Sequence, residues 1–264
     1  MKYFLSTLVA ILLMGCDLHM DSVYLGRSES ALLGDVDAGD VEAVKAYLDN
    51  GGNVNLQDEP GNTPLHRAVN ADWKGSHLEM VKLLIERGAN VNAIDDIHHT
   101  PLHQASHAAT AALLIEAGAR VNARTQGTGE TLLFSAAWGA AQGAEKSYQH
   151  YLDLTKLLIA KGADVNVKLR SGGERLRASS GIEEKPYHEK TGDTPLHEVA
   201  RSYSEKHAIV LCELLVQQGA NINETNILAH TPLDEALANQ RKQTADFLRK
   251  LGAETGEDLE AEVE

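Results

Sequence analysis

The sequence is poor in aromatic residues, in cysteine and in basic residues. Aromatic side chains make up 5% of its 264 residues, which predicts a core of Ala and Leu instead of large rings. Cysteine occurs only as Cys16 and Cys212, and the two need not pair. Lys and Arg total 24 against 38 Asp and Glu, a formal net charge of −14. This charge repels phosphate backbones, so no nucleic-acid partner is expected, whereas a basic or neutral protein partner is favoured.

Motifs that carry catalysis are also missing. The sequence contains no nucleophile elbow, no phosphate-binding loop and no Cys-x-x-Cys pair. Its acidic residues form no spaced pair in a recognisable pocket. We therefore predict a protein that is not an enzyme and holds no cofactor, with a hydrolase as the least favoured alternative. A content of 43% hydrophobic and 23% charged residues argues against bulk disorder.

The N-terminus carries a short apolar run. Residues 8–14 are apolar and follow Lys2. This run is shorter than the roughly 20 residues that a transmembrane helix needs, and it is typical of a secretory signal peptide. It leads into Leu-Met-Gly-Cys at residues 13–16, which resembles the lipobox of bacterial lipoproteins. An ordinary signal peptide with a nearby cysteine is the alternative.

The lipobox resemblance implies a protein anchored to a membrane. A signal peptide over residues 1–15 would be removed, the sulfur of Cys16 would be diacylated, and residues 16–29 would form a short tether. Asp17 resembles the signal that retains lipoproteins in the inner membrane, so a periplasmic protein anchored there is expected. Cys212 would then be the only thiol, and its position in a helical pattern predicts a buried, unreactive side chain.

A pair of short motifs recurs along the rest of the chain. The first is Thr-Pro-Leu-His at residues 63–66, 100–103 and 194–197, with Thr-Pro-Leu-Asp at 231–234 and a degenerate Thr-Leu-Leu-Phe at 131–134. The second begins with Gly-Ala and ends with Asn, at residues 88–92, 118–122, 162–166 and 219–223. An earlier version stands at residues 51–55 and a truncated version at 252–253. Such ordered self-similarity is typical of repeat architectures.

The paired motifs resemble the ankyrin repeat family over about residues 30–254. The resemblance implies an all-α solenoid of about six repeats, caps included, with short β-turn fingers. It also implies a non-catalytic module that binds another protein. The repeats are placed near residues 30–58, 63–96, 100–126, 131–167, 194–226 and 231–254. A long inserted loop covers residues 168–193, and an acidic tail over 255–264 is expected to be disordered.

The physical chemistry of the motifs predicts stacked helix pairs. Thr can cap the free N–H groups at a helix start, and Pro is preset for the first turn. A second helix follows with apolar residues at i, i+3 and i+4, as in Leu211, Leu214 and Leu215, and a Gly ends it. Because one unit cannot bury its own apolar face, Leu214 is expected to be buried between units. The residues given a structural role in the motif are Thr63, His66, Thr100, His103, Thr194, His197 and Thr231.

The histidines near the third motif have two interpretations. His98, His99, His103 and His107 lie close in sequence, and the last two are one helical turn apart, a spacing that can hold zinc. The family resemblance implies instead that the motif histidines bond main-chain groups in the fingers. The third repeat is also short, which places His107 in a tightened turn. No metal site is therefore predicted.

Three departures from the regular repeat predict partner contacts. Residues 70–77 and 138–151 lengthen the turns between paired helices, and residues 168–193 replace a short finger. Trp, Tyr and Arg dominate the energetics of many interfaces. The candidates in these segments are Trp73, Trp138, Tyr148, Tyr151, Arg170, Arg175, Arg177 and Tyr187. The alternative is that the segments are neutral surface expansions with their aromatic rings folded against the repeats.

The concave face formed by fingers and first helices is the expected binding surface. The candidates on it are Arg67, Gln104, Trp138, Glu198 and Arg201, with fingers near Asp95, Asp96, Arg124 and Asn226. The protein is expected to be monomeric and to act as an adaptor of an envelope complex. The alternative is an immunity protein that neutralises a toxin in the envelope.

Overall fold

The structure, a computed structural model, describes residues 29–72, 76–142, 145–170 and 192–261. Over these residues the regular elements are helices, and no strand forms. In chain order they are α1 (Glu29–Ala38), α2 (Val41–Asp49), α3 (Pro64–Ala71), α4 (Leu78–Glu86), the 3-10 helix (Pro101–Gln104), α5 (Ala108–Glu116), α6 (Leu132–Gln142), α7 (Glu145–Ala160), α8 (Pro195–Ala200), α9 (Glu205–Gln217), α10 (Pro232–Ala238), α11 (Lys242–Lys250) and α12 (Gly256–Ala261). None of the helices in these ranges has the length and apolar character that a membrane crossing requires.

The helices are arranged as stacked pairs. Each first helix contacts the second helix that follows it, from α1 with α2 to α10 with α11. The first helix of each pair also contacts the first helix of the next pair. These first helices are, in chain order, α1, α3, the 3-10 helix, α6, α8 and α10. The second helices α2, α4, α5 and α7 do the same, as do α9 and α11. The predicted helical repeat solenoid is therefore confirmed.

The core runs along the stack as a line of leucines and alanines. The leucine that follows the Thr-Pro start is at most 2% exposed in each repeat, as Leu65, Leu102, Leu196 and Leu233. In α9 the fully buried residues are Ala208, Leu211, Cys212 and Leu215, whereas Leu214 is only partly buried and packs against the core. The expected burial of Leu214 is thus met only in part, because the buried residues, three and four apart, form the inward face of α9 and Leu214 lies at its edge.

The third repeat is shortened at its first helix. Thr100 and Pro101 open a 3-10 helix of four residues, and Ala105 already has an extended backbone with ψ 119°. His107 is the N-cap of α5. Because the chain reaches the second helix so early, His103 and His107 do not share one helix, and the zinc-compatible helical spacing is not formed.

The fourth repeat is enlarged in its helices. The sequence pattern predicts a lengthened turn over residues 138–151, but α6 extends to Gln142 and α7 begins at Glu145. With 11 and 16 residues, these helices are longer than the 8 and 9 residues of α3 and α4. The inserted residues therefore continue both helices beyond the end of a regular repeat.

The chain after the last repeat forms a further helix. Residues 256–261 were expected to be disordered, but they form α12, whose start copies the cap of a first helix. Thr255 Oγ1 accepts from the Asp258 N–H over 3.1 Å, and Asp258 Oδ2 accepts from the Thr255 N–H over 3.2 Å. Asp234 Oδ2 accepts from the Gly256 N–H over 2.8 Å and fixes this helix to the last repeat. These three hydrogen bonds order the segment despite its acidic composition.

Candidate protein-interaction surface

Most of the fingers are turns closed by a polar side chain. In the first finger the Asp58 N–H donates to the Asn62 carbonyl over 3.0 Å, and the Asn62 N–H donates to Asp58 Oδ1 over 2.7 Å. Asp95 and Asn226 close later fingers in the same way. A carboxylate or amide at the start of the finger therefore fixes its shape locally.

Neighbouring fingers are joined by main-chain hydrogen bonds. The Asp96 N–H donates to the Pro60 carbonyl over 3.1 Å, the Gln126 N–H to the Ile97 carbonyl over 3.2 Å, and the Arg170 N–H to the Thr128 carbonyl over 2.8 Å. These bonds tie the first four fingers into one row. A surface ordered in this way loses little conformational entropy when a partner binds.

The motif histidines connect each helix start to the following finger. His66 Nδ1 accepts from the Thr63 N–H over 3.1 Å, so its Nε2 carries the proton and donates to the His99 carbonyl over 3.1 Å. His103 and His197 make the equivalent pair of bonds. Each histidine therefore holds two repeats together. The same two nitrogens are the only ones that could ligate a metal, so the bonds compete with ligation.

Burial keeps these histidines neutral. It lowers the pKa of His66 and of His197, and it lowers the pKa of His103 to about 4, where the nearby His99 ring acts in the same direction. A neutral imidazole has one acceptor and one donor nitrogen. That is the combination that the Thr N–H and the finger carbonyl require.

Asparagine side chains form a second set of bonds between repeats. Asn166 Nδ2 donates to the Gly219 carbonyl over 2.9 Å, and Asn166 Oδ1 accepts from the Asn221 N–H over 2.8 Å. Asn55, Asn92 and Asn122 each make the same two bonds to the repeat that follows. Because Asn166 and Asn221 lie on opposite sides of the long insertion in sequence, the stack continues in register across it.

Arg201 and Glu198 lie in an enclosed ion network. The Arg201 guanidinium lies 2.6 Å from Asp193, 2.8 Å from Glu198 and 3.4 Å from Glu235. Although burial opposes its charge, these carboxylates raise the pKa of Arg201. The Arg201 and Glu198 side chains are only 13% and 12% exposed. Their contacts join α8 to the finger before it and to α10, so packing between repeats accounts for both residues.

Arg67 and Gln104 are more accessible. Arg67 bridges Asp37 of α1 and Asp58 of the first finger, and its hydrogen bond to Asp37 raises its pKa. Its side chain remains 32% exposed. Gln104 Nε2 donates to Asn62 Oδ1 over 3.4 Å and is half-buried. Both side chains therefore lie at the junction between a first helix and a finger.

The three described aromatic candidates differ in exposure. Trp138 is 36% exposed on α6. Tyr148 stacks on the His207 ring with 3.7 Å between ring centroids, and Tyr151 packs over Gly139, where an added Cβ would lie 3.1 Å from its ring. Of the three, Trp138 is thus the ring most available to a partner, and the tyrosines contact the repeats.

The long insertion begins and ends as a finger. The Leu169 N–H donates to the Asp193 carbonyl over 2.9 Å, and the Gly192 N–H donates to the Leu169 carbonyl over 3.0 Å. These bonds match the base of the other fingers, so the described ends of the insertion have the geometry of a finger base. Arg170 is exposed at this base. The candidates Cys16, Trp73, Arg175, Arg177 and Tyr187 lie outside the described residues.

Exposed apolar side chains on the fingers were missed by the sequence analysis. Ile97 is 42% exposed, Ile227 61% and Leu228 54%. Tyr203 is 79% exposed, with the Arg241 guanidinium 4.4 Å from its ring centroid. Apolar residues between the polar first residue of a finger and the following Thr are the signal that could have found the finger positions.

The histidine group near the third motif is divided by the fold. The His107 ring contacts the His150 ring, with centroids 4.1 Å apart, and His98 Nδ1 lies 3.0 Å from Gln126 Oε1. Within the described ranges, no three His, Cys, Asp or Glu side chains are grouped as a metal site would need. Cys212 is fully buried, and burial raises the pKa of its thiol to about 12, which makes it unreactive at physiological pH.

Family comparisons match most of this repeat region. A family model for ankyrin repeats in three copies matches residues 32–125, and a model for the single ankyrin repeat matches residues 191–227. No curated protein matches the sequence. The unmatched residues 126–190 include α6 and α7, the helices that depart in length from the regular repeat.

Solved structures similar to this chain include ankyrin repeat domains. One from Acinetobacter baumannii has a TM-score of 0.67 and 24% identity, covering 86% of this chain and 100% of that chain. The human ASB11 ankyrin repeat domain has a TM-score of 0.62 and 21% identity, covering 86% and 85%. At these identities the similarity establishes the fold.

A further similar structure is a complex. A chain in the complex of a predatory endopeptidase from Bdellovibrio bacteriovorus with an immunity protein is 28% identical, with a TM-score of 0.57. The match covers 85% of this chain and 99% of that chain.

Proposed function

Since this chain belongs to the ankyrin repeat family, we propose that it is a non-catalytic protein-binding module that acts as an adaptor in the bacterial envelope. The main support is the row of fingers, of which the first four are joined by main-chain bonds, and which carries exposed apolar side chains from Ile97 on the second finger to Ile227 on the fifth. Apolar side chains on a rigid surface favour association with another protein. The net charge of −14 favours a basic or neutral partner.

The adaptor would be held at the periplasmic face of the inner membrane. In this proposal, Cys16 carries the acyl chains and Asp17 retains the protein in that membrane. Residues 16–29 are the tether between the lipid and α1. Anchoring would restrict the finger row to partners in or near the envelope.

The anchor is tested by replacing the acylated thiol. Cys16→Ser should move the protein from the membrane fraction to the soluble periplasmic fraction, because no acyl chain would be attached. Cys212→Ser is the matched control and should leave fractionation unchanged, because this thiol is fully buried in α9. Membrane retention of the Cys16→Ser variant would contradict the proposal.

An immunity role is the second candidate. It is favoured by the 28% identity to a chain in the complex of a predatory endopeptidase with an immunity protein. A tethered acidic protein could neutralise a basic toxin as it crosses the envelope. Here the partner would be an enzyme that damages the producing cell.

Deletion of the gene distinguishes the two roles. An immunity protein predicts loss of viability that is restored when the gene of the captured partner is also deleted. An adaptor predicts loss of an envelope complex, and deletion of the partner would not restore it. The partner is first captured by crosslinking and pull-down from the native envelope fraction.

A further inference from the structure

Two arginines between the third and fourth fingers have no carboxylate partner within the part of the chain that the structure describes. Arg124 precedes the turn of the third finger, and Arg170 lies at the base of the fourth. Among the described residues, Arg120, Arg124, Arg170 and Arg241 form no ion pair, whereas Arg67, Arg87, Arg201 and Arg249 do. Arg124 and Arg170 differ from the other two because both lie against Gly129. In a chain with a net charge of −14, two unneutralised arginines at one place are unexpected.

Both arginine side chains pack against Gly129. An added Cβ at Gly129 would lie 2.9 Å from Arg124 Nη2 and 3.0 Å from Arg170 Cγ. The missing side chain of Gly129 therefore lets both arginines approach each other. The Arg170 N–H is bonded to the Thr128 carbonyl over 2.8 Å, which fixes the two fingers side by side.

The Arg124 guanidinium is poorly satisfied. Its Nη2 donates to the Lys168 carbonyl, and its Nε is enclosed without a hydrogen bond to any described residue. Burial, and next the like charge of Arg170, lowers the pKa of Arg124, and Asp164 opposes this only partly. An added negative charge would therefore be favourable at this position.

Nearby charged groups are already engaged. Lys168 pairs with Glu224, and that hydrogen bond lowers the pKa of the Glu224 carboxyl. Glu130 Oε1 accepts from the Ser135 hydroxyl over 2.6 Å. The arginines beside Gly129 that remain for an outside ligand are thus Arg124 and Arg170.

We propose that Arg124 and Arg170 form a binding site for a carboxylate, supplied by an acidic side chain of the partner protein. Guanidinium groups match the planar carboxylate and bind it through charge-assisted hydrogen bonds. The two arginines act on a carboxylate at short range, because exposed charges more than about 8 Å away from it are largely screened at physiological ionic strength. A partner that is basic overall can therefore still insert one Asp or Glu here.

Binding of glutarate tests the site directly. The ¹H–¹⁵N signals of the arginine Nε–H groups are followed in physiological salt during titration with glutarate, with glutaramide as the neutral analogue. Arg124 and Arg170 signals should shift saturably with glutarate and not with glutaramide. Arg170→Gln should weaken binding at least about tenfold, because a charge-assisted hydrogen bond is lost, and Arg170→Lys should restore part of it.

Arg120→Gln is the matched control. Arg120 is exposed on the same repeat, four positions before Arg124, and forms no ion pair within the described residues. Its replacement should leave glutarate binding unchanged. Arg170→Gln should fold normally because the Arg170 side chain is exposed. Arg124→Gln should also weaken glutarate binding, but it loses the hydrogen bond to the Lys168 carbonyl as well, so Arg170→Gln is the decisive variant.

Three outcomes would overturn the proposal. These are the absence of a saturable shift, equal binding by Arg170→Gln, and a preference for inorganic phosphate with no response to glutarate, which would indicate a phosphate site. The identity of the carboxylate as part of a protein rests on the proposed function. If a captured partner binds Arg170→Gln as tightly as the native protein, the site fails and the protein-binding function remains.

Discussion

At the scale of single residues, the fifth finger contains a strained backbone position. Ala229 has φ +58°, in the left-handed region that disfavours a Cβ. The equivalent residues are Gly61, Gly129 and Gly192 in three other fingers, with φ +87°, +64° and +85°, and His98 in the second finger, with φ +61°. Ala229 is exposed, so its methyl group contributes little packing to offset this strain.

Ala229→Gly should therefore stabilise the protein. We expect the free energy of unfolding to rise by about 0.5–1 kcal/mol, as measured by urea denaturation, because the strain exceeds the added chain entropy of Gly. Ala238→Gly is the matched control at an exposed position of α10, and it should lower the free energy by about 0.5–1 kcal/mol. Equal destabilisation by both changes would show that the finger is not strained.

His103 should make stability depend on pH. Unfolded His103 takes up a proton near its ordinary pKa of 6.5, whereas burial lowers the folded pKa to about 4. The contribution of neutral His103 to the free energy of unfolding is therefore complete above pH 6.5 and is lost as the pH falls towards 4. The difference in free energy of unfolding between the native protein and the His103→Gln variant should decrease over this pH range by up to about 3 kcal/mol.

This prediction is checked by urea denaturation of both proteins at several pH values. Subtracting the free energy of unfolding of one protein from that of the other at each pH cancels the contribution of the titrating groups that the two proteins share. A difference that stays constant from neutral pH to pH 4 would mean that His103 is protonated in the folded protein.

At the scale of elements, the C-terminal cap depends on a glycine. Gly256 stands where the preceding repeats have Pro, and its N–H donates to Asp234 over 2.8 Å. An added Cβ would lie 2.0 Å from the Ala229 carbonyl oxygen. Asp234 replaces the motif histidine here because the group to be bonded is an N–H donor and not a carbonyl.

Gly256→Ala should release α12 from the last repeat. The clash is with main chain, which cannot rotate away, so we expect a loss of about 1–3 kcal/mol in the free energy of unfolding. Gly34→Ala is the matched control in α1, where an added Cβ meets nothing within 4 Å. That change should be neutral or stabilise by up to about 1 kcal/mol. Similar effects at both positions would contradict the close packing of α12.

The helix pairs could be predicted from the sequence because their signals are local. The Thr-Pro start and the glycine end act within one turn of the chain, and Gly219 takes φ +89° at the end of α9 as a C-cap requires. The lengths of α6 and α7 could not be predicted, because a turn and two longer helices fit the same insertion. The cap at Gly256 was missed because its partner, Asp234, comes from another repeat.

The candidate site was predicted less completely, because the exposure of its residues depends on contacts between repeats. Composition could identify Arg201 and Trp138 but not their surroundings, which are set by the register of the stack. Arg201 is enclosed among three carboxylates, whereas Trp138 is 36% exposed. Ile227 and Leu228 could have been found from their position between Asn226 and Thr231, but their exposure could not, because apolar residues on a protein surface are common.

At the scale of the whole molecule, the finger row and the helix stack have different roles. Histidine and asparagine side chains join one repeat to the next along the stack, from Asn55 to the Asn166 bond across the insertion. The fingers and first helices leave Trp138, Ile97 and Ile227 exposed. The central claim is that this preformed face binds another protein.

Site-specific photo-crosslinking in native cells tests this claim most directly. A photoreactive amino acid is placed at Ile227 on the fifth finger and, as the matched control, at Val210, which is 40% exposed on the second helix α9. We expect a specific protein adduct from position 227 and none from position 210. Adducts from position 210 alone, or equal adducts from both positions, would contradict binding through the finger face.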